Sequence, residues 1–171
     1  MTRLLVDAPQ RPATLVMAIG NPSRGDDAAG PWLAERLADW LQGDGRPHQD
    51  DIEVVCDQQL MVEHALDLAG RTRVLFIDAA AQQDALVCWQ PIQPATSGPS
   101  LSSHQCTPAQ LLQLCLRTLR EPAPPSWLLS LRGAAFELGT PMSASLQAAL
   151  QQVWLPLLAW LTQAPDSPHH A

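Results

Sequence analysis

The stretch Gly20-Asn21-Pro22-Ser23-Arg24-Gly25-Asp26-Asp27 follows directly on the apolar run Leu15-Val16-Met17-Ala18-Ile19. Glycines spaced in this way after a buried strand commonly form a backbone cradle for phosphate. Here the position that would carry a phosphate-loop lysine is Asp26, and Asp27 follows it. Carboxylates repel phosphate, so the turn suits a cation or an acid/base task. Two other residues join the argument. Asp78 ends the apolar run Val74-Leu75-Phe76-Ile77, and His104 is the one histidine in a long loop suited to forming a site. Two carboxylates and an imidazole suit a first-row divalent ion with open coordination positions. An aspartate pair can instead share a proton and act as acid and base. Each residue also has a plainer reading. Asp26 and Asp27 can cap the helix that follows. Asp78 can close a loop by accepting backbone N–H groups, and a lone loop histidine is often only a surface residue. Asp26 reads as a cap or as support for Asp27.

Composition narrows the chemistry. Ten arginines and no lysine face 17 acidic residues, the net charge is -7, and tyrosine is absent. This excludes a Schiff-base lysine, a phosphate-loop lysine, a Ser-Lys dyad and a tyrosine nucleophile. The arginines are scattered, so no basic stripe for nucleic acid is present. Neither a Gly-x-Ser-x-Gly elbow nor a His-Glu-x-x-His helix occurs. Cys56, Cys88, Cys106 and Cys115 have no Cys-x-x-Cys spacing, which argues against zinc and for buried free thiols in a reducing compartment. No apolar stretch approaches the roughly 20 residues of a membrane span. The start, Met1 to Asp7, is too short and too soon acidic for a secretory signal. The expectation is a cytoplasmic protein with neither membrane nor nucleic acid as partner.

The elements that must position these residues alternate along the chain. Strands are predicted at 14–19, 52–56, 74–77, 85–89 and 127–131. Helices are predicted from about Pro31 to Leu41, from Met61 to Ala69 with Gly70 as its C-terminal cap, and from Pro108 to Leu119 behind the N-cap Thr107. A last helix starts at Ser143, with Leu146, Leu150, Val153, Trp154, Leu157, Leu158 and Leu161 as its apolar stripe and Pro156 as a kink or weak point. His64 falls on the exposed side of its helix, and His169 and His170 in a frayed tail. Residues 1–12 and 165–171 read as loosely ordered ends, and 90–106 as a long loop that carries His104. Alternating strands and helices make an α/β fold, a single three-layer domain over 1–171 with a mostly parallel sheet of about five strands. If the first strand is central, it neighbours the third at the topological switch point, where such sheets bind ligands. Asp27 and Asp78 then face one crevice. From the residues alone this stops at a metal-dependent or carboxylate-based hydrolase.

At these residues the chain resembles the nickel-iron hydrogenase maturation endopeptidases. The family pattern of a strand, Gly-Asn-x-x-x-x-Asp-(Asp/Glu) and a small-residue stretch ending in glycine is matched by Gly20-Asn21 through Asp26-Asp27 and Ala28-Ala29-Gly30. Its strand ending in Asp-Ala is matched by Ile77-Asp78-Ala79, and its histidine before a leucine-rich helix by Ser103-His104-Gln105 with Leu111 and Leu112 following. Glu137 to Ser143 resembles the family's motif after the last strand. The match runs from about residue 14 to residue 160. It implies an aspartyl-type endopeptidase that removes the C-terminal extension of a nickel-loaded hydrogenase large-subunit precursor. Asp27, Asp78 and His104 carry over as the catalytic and metal-binding positions. The metal it implies is the substrate's own nickel, with no tightly held cofactor. One departure stands out. Many relatives have Asp-Gly-Gly after the second strand, whereas Asp57-Gln58-Gln59-Leu60 resembles the subgroup serving soluble NAD(P)-reducing hydrogenases. Two alternatives remain: a non-proteolytic nickel-binding chaperone or adaptor, and a general hydrolase with an aspartate dyad.

Overall fold

The computed structural model describes residues 11–43, 49–96, 106–120 and 122–163. His104, most of the predicted 90–106 loop, and the two predicted loose ends apart from residues 11 and 12 lie outside the described residues. Five strands form one sheet: β1 (Thr14–Ile19), β2 (Ile52–Asp57), β3 (Arg73–Ala80), β4 (Val87–Ile92) and β5 (Ser126–Arg132). Their order is β2-β1-β3-β5-β4. Every pairing is parallel except that of β4, which runs antiparallel to β5 at an edge. Helices α1 (Ala29–Leu41) and α3 (Ala144–Thr162) cover one face, and α2 (Pro108–Leu119) the other.

The layers follow from the alternation of side chains along a strand. Val16, Ala18, Leu75, Ile77, Leu129 and Leu131 pack under α1 and α3. Leu15, Met17, Ile19, Val74 and Phe76 pack under α2 with its Leu111, Leu112 and Cys115. The central strands are buried on both faces, so β1 and β3 read as continuous apolar runs. The start of α2 is as the sequence predicts: Thr107 Oγ1 accepts from Gln110 N–H at 3.3 Å, and the Gln110 side chain accepts from Thr107 N–H at 2.9 Å. In α3 Ser143 accepts from Leu146 N–H at 3.2 Å. The helix continues unbroken past Pro156, which is exposed, as is Gln152, whose carbonyl loses its donor.

Four expectations are corrected. The segment 61–69 is not an α-helix but a short 3-10 helix, Val62–Leu66, followed by turns. The segment buries Ala65 within the short helix and Leu68 in the turns after it. Asp78 does not end β3 but lies inside it, because the ladder with β5 runs on to Ala80 opposite Arg132. The fourth strand is shifted toward the C-terminus and includes Pro91, which an edge strand tolerates. Cys115 is buried, but Cys56 is exposed near the end of edge strand β2, and Cys88 and Cys106 are half-buried.

Candidate functional site

Strand register builds the site. Ala18 pairs with Ile77 and Ile19 with Asp57, so one step beyond Ile77 the residue Asp78 stands beside Ile19. Asp78 pairs with Ser130 on β5. Asp57, Ile19, Asp78 and Ser130 thus form a row across four adjacent strands, all on the α2 face at the carboxyl ends of the parallel strands. β1 and β3 are neighbours here, with β2 and β5 on opposite sides of them, which makes this the switch point of the sheet.

The glycine turn leaves β1 directly above this row. Gly20 has φ 141°, and a Cβ there would collide with the carbonyl of Asp27. Its N–H donates to Asp57 O at 3.0 Å, which fixes the exit of β1 against β2. Gly25 has φ 52°, and a Cβ would strike the carbonyl of Ala135. The turn can therefore fold back on itself and on the segment after β5 only with glycine at both positions. A short 3-10 helix, Gly25–Ala28, then leads into α1.

Neither aspartate caps the helix that follows. The N-cap positions of the 3-10 helix and of α1, Arg24 and Ala28, show no side-chain cap bond. Asp26 is fully buried and faces away from the crevice. Its carboxylate accepts from Ala134 N–H at 2.6 Å, Ala135 N–H at 3.2 Å, Ser143 N–H at 2.7 Å and the Ser143 hydroxyl at 2.7 Å. Burial alone would push its pKa up, but these donors outweigh burial and hold it below the usual carboxylate value. Asp26 is a latch between the turn, the β5–α3 segment and the N-terminus of α3. Asp27 Oδ2 instead accepts from Asn21 N–H at 3.1 Å and lies 3.8 Å from Arg24 Nη1.

Asp78 is the electrostatic partner of Asp27. Burial pushes its pKa up to about 6, the Ala79 N–H at 2.8 Å pulls against this, and the charge of Asp27 adds to the rise. Ser130 gives no relief, since it donates its hydroxyl to Gln83 Oε1 at 2.7 Å. The fold thus places Asp27 close enough for its charge to raise the pKa of Asp78. Beside them lies a cavity of about 260 Å³ with Ile19 and Phe76 as its floor and Asp78 at its side. Gln58, Gln59 and Leu60 form one wall, and Cys106 to Pro108 at the start of α2 another. His104 lies outside the described residues, two positions before Cys106. Among the described residues no group of three His, Cys, Asp or Glu side chains is arranged to hold a metal ion. Asp27 and Asp78 supply two oxygen donors, which suits a divalent ion that brings other ligands with it.

His64 is not exposed, contrary to the sequence reading. Its side chain retains 12% exposure, and Nε2 lies 3.4 Å from Asp57 Oδ2. Nδ1 accepts from Met61 N–H at 2.9 Å. Composition and motif spacing gave no hint of this pair. The available signal was the sequence distance: a histidine three residues after Met61 can reach back to cap the short helix that Met61 opens.

No protein-family model matches the chain, and no curated protein does. The architecture is nevertheless that of solved hydrogenase maturation proteases. The nickel-iron hydrogenase maturation protease HycI from Thermococcus kodakarensis KOD1 superposes with a TM-score of 0.64 at 18% identity, over 91% of this chain and 96% of that one. The hydrogenase maturating endopeptidase HybD from E. coli gives 0.64 at 21% identity, over 86% and 91%. The hydrogenase 3 maturation protease gives 0.57 at 19% identity, over 86% and 90%. Identities at this level establish a common fold.

Proposed function

We propose that this chain is a maturation endopeptidase that removes the C-terminal extension from the nickel-loaded precursor of a nickel-iron hydrogenase large subunit. The observation that carries the reading is the pair Asp27 and Asp78, brought to the switch-point crevice of this fold beside a cavity, with the raised pKa of Asp78 marking their proximity. In this reading the nickel arrives with the precursor, and Asp27, Asp78 and His104 meet it as oxygen and nitrogen ligands. The two carboxylates and the imidazole hold the loaded precursor in place, which turns a peptide encounter into an oriented one. Precursors without nickel lack the contact and are passed over. Bound metal can also polarise a carbonyl or acidify water.

A second reading has its own support. An aspartate pair can divide the work of acid and base, and the raised pKa of Asp78, about 6 beside the charge of Asp27, fits a group that gives and takes a proton. Here the pair works on the peptide bond directly, and nickel serves recognition only. The sequence Gln58-Gln59 after Asp57 directs the substrate reading toward the precursor of a soluble NAD(P)-reducing hydrogenase. A cytoplasmic location belongs to this proposal. Among the described residues no helix is long and apolar enough to cross a membrane.

Mass spectrometry of precursors incubated with the chain tests the reading. Nickel-loaded precursor is shortened at its C-terminus, nickel-free precursor is left whole, and Asp27→Asn loses processing. An unchanged mass with retained binding makes the protein a chaperone or adaptor. Equal cleavage with and without nickel removes the metal from recognition. Processing of only a membrane-bound enzyme's precursor overturns the soluble-hydrogenase assignment.

A further inference from the structure

On the far side of the cavity from Asp27 lies a polar arrangement that the paired carboxylates do not explain. The segment Gln58-Gln59-Leu60 leaves the exposed end of edge strand β2 and would be a mobile connection if left alone. It is bridged by one side chain. The two ring nitrogens of His64 reach its two ends, Nε2 toward Asp57 Oδ2 at 3.4 Å and Nδ1 to Met61 N–H at 2.9 Å. The bond from Met61 fixes the tautomer, because a nitrogen that accepts an N–H carries no proton of its own. In the neutral ring the proton therefore sits on Nε2, the nitrogen that lies 3.4 Å from Asp57 Oδ2. The Asp57 carboxylate turns its other oxygen onto Gln58 N–H at 2.6 Å, while its backbone oxygen accepts from Gly20 N–H at 3.0 Å. At the other end Leu60 O accepts from Cys106 N–H at 3.0 Å, which ties the same segment to the opposite wall of the cavity.

Capping alone accounts for only half of this. A cap of the 3-10 helix Val62–Leu66 needs the Met61 bond and nothing from Asp57. Asp57 is half exposed in its side chain and lies at the carboxyl edge of the sheet, on the same face as Asp78 and separated from it by Ile19. Two strand spacings put the two positions roughly 10 Å apart. Between them is the cavity, and the side chains at its rim on the Asp57 side are Gln58 and Gln59. A carboxamide offers a donor and an acceptor together, the complement of a peptide main chain. A pocket with an apolar floor and amides at its rim suits an extended peptide whose side chain enters while its backbone is held above.

We propose that His64 is a positioning residue. It staples the Asp57–Met61 segment so that Gln58 and Gln59 grip the main chain of the peptide to be cleaved. The inference rests on the endopeptidase reading and adds the peptide-holding wall to it. His64 does not serve as a base, because Nδ1 is occupied by Met61 and Nε2 carries the proton.

The test separates the two arms of the staple. Asn at this position places an oxygen where Nδ1 was and keeps the Met61 arm, whereas Gln places its amide nitrogen near Nε2 and keeps the Asp57 arm. His64→Leu is expected to lower the urea midpoint and to raise KM for the precursor about tenfold, with kcat within about twofold. His64→Asn is expected to restore the midpoint yet keep the high KM, and His64→Gln to recover KM in part. Gln58→Ala alone raises KM, and adding it to His64→Leu brings little further loss, because both remove one function. Recovery of KM by His64→Asn, or a loss confined to kcat, overturns the proposal and leaves His64 a plain cap. Nitrogen NMR of the histidine-labelled full chain provides a readout without substrate. An Nε2–H tautomer is expected, and an Nδ1–H tautomer sinks the staple. If no precursor is cleaved by the unaltered chain, the endopeptidase reading fails, while the tautomer still decides the staple.

Discussion

Asp26 and Asp78 are carboxyl groups with opposite fates. Raising Asp78 from 3.8 to about 6 costs the folded chain on the order of 2 to 3 kcal/mol at neutral pH, somewhat less after solvent screening. Because its folded value is raised, the favourable contribution is complete below pH 4 and is lost as pH rises through 6. Asp78→Asn is therefore expected to stabilise the metal-free protein by about 2 kcal/mol at pH 7.5 and hardly at all near pH 4, read from urea unfolding at both values. The same variant loses precursor processing, so stability and activity move in opposite directions. Asp26 has the reverse sign. Its folded pKa is lowered, so its contribution is present above the unfolded value and lost as pH falls through the folded one. Asp26→Asn turns an amide donor toward groups that already donate, from Ala134, Ala135 and Ser143. A loss of about 3 kcal/mol is expected, measured by denaturant unfolding at pH 7.

At the scale of elements, the two ends of α3 are held by different chemistry. Its start is capped by Ser143, which also donates to Asp26. Its end is held by Arg73 at the start of β3, which is buried and close to Thr14. The guanidinium donates to Thr14 Oγ1 at 2.9 Å, Leu161 O at 3.1 Å and Gln163 O at 3.0 Å, and stacks 4.3 Å above the Trp160 ring. It thus satisfies carbonyls at a helix C-terminus and brings positive charge where the helix dipole favours it. Arg73→Met is expected to cost about 2 to 3 kcal/mol and to increase hydrogen exchange in the last turn of α3. Arg73→Lys should recover little of this, because one ammonium cannot serve the same set of acceptors or stack in the same way. The ends of α2 and α3 were legible because Thr107-Pro108 and Ser143 are local capping signals. The 3-10 helix at 62–66 was not, since its cap is the ring of His64 and the burial of Ala65 depends on the packed sheet face.

For the whole molecule, the two faces of the sheet divide the work. The α1/α3 face holds a core continuous from Leu33 to Leu161, while the α2 face opens at its carboxyl edge into the crevice. Leu131→Ala, on the closed face, is expected to cost about 2 to 5 kcal/mol and leave KM unchanged. Phe76→Ala, on the floor of the cavity, should cost about 3 to 5 kcal/mol and change KM as well, which calorimetry and precursor cleavage together would separate. The sequence by itself determined the strands β1, β3 and β5 and the caps of α2 and α3, and it named Asp27 and Asp78 as partners on the condition that β1 is central, a condition the strand order meets. Runs of buried residues and cap signals are local, and the alternation of strand and helix restricts the sheet to few orders. Only the tertiary structure decided which groups bury and bind Asp26, how far the pKa of Asp78 is raised, and that His64 turns inward to Asp57. Those outcomes depend on strand register, on burial and on groups such as Ala134 and Ser143 that lie far along the chain. Burial and distant hydrogen-bond partners exist only once the layers are packed.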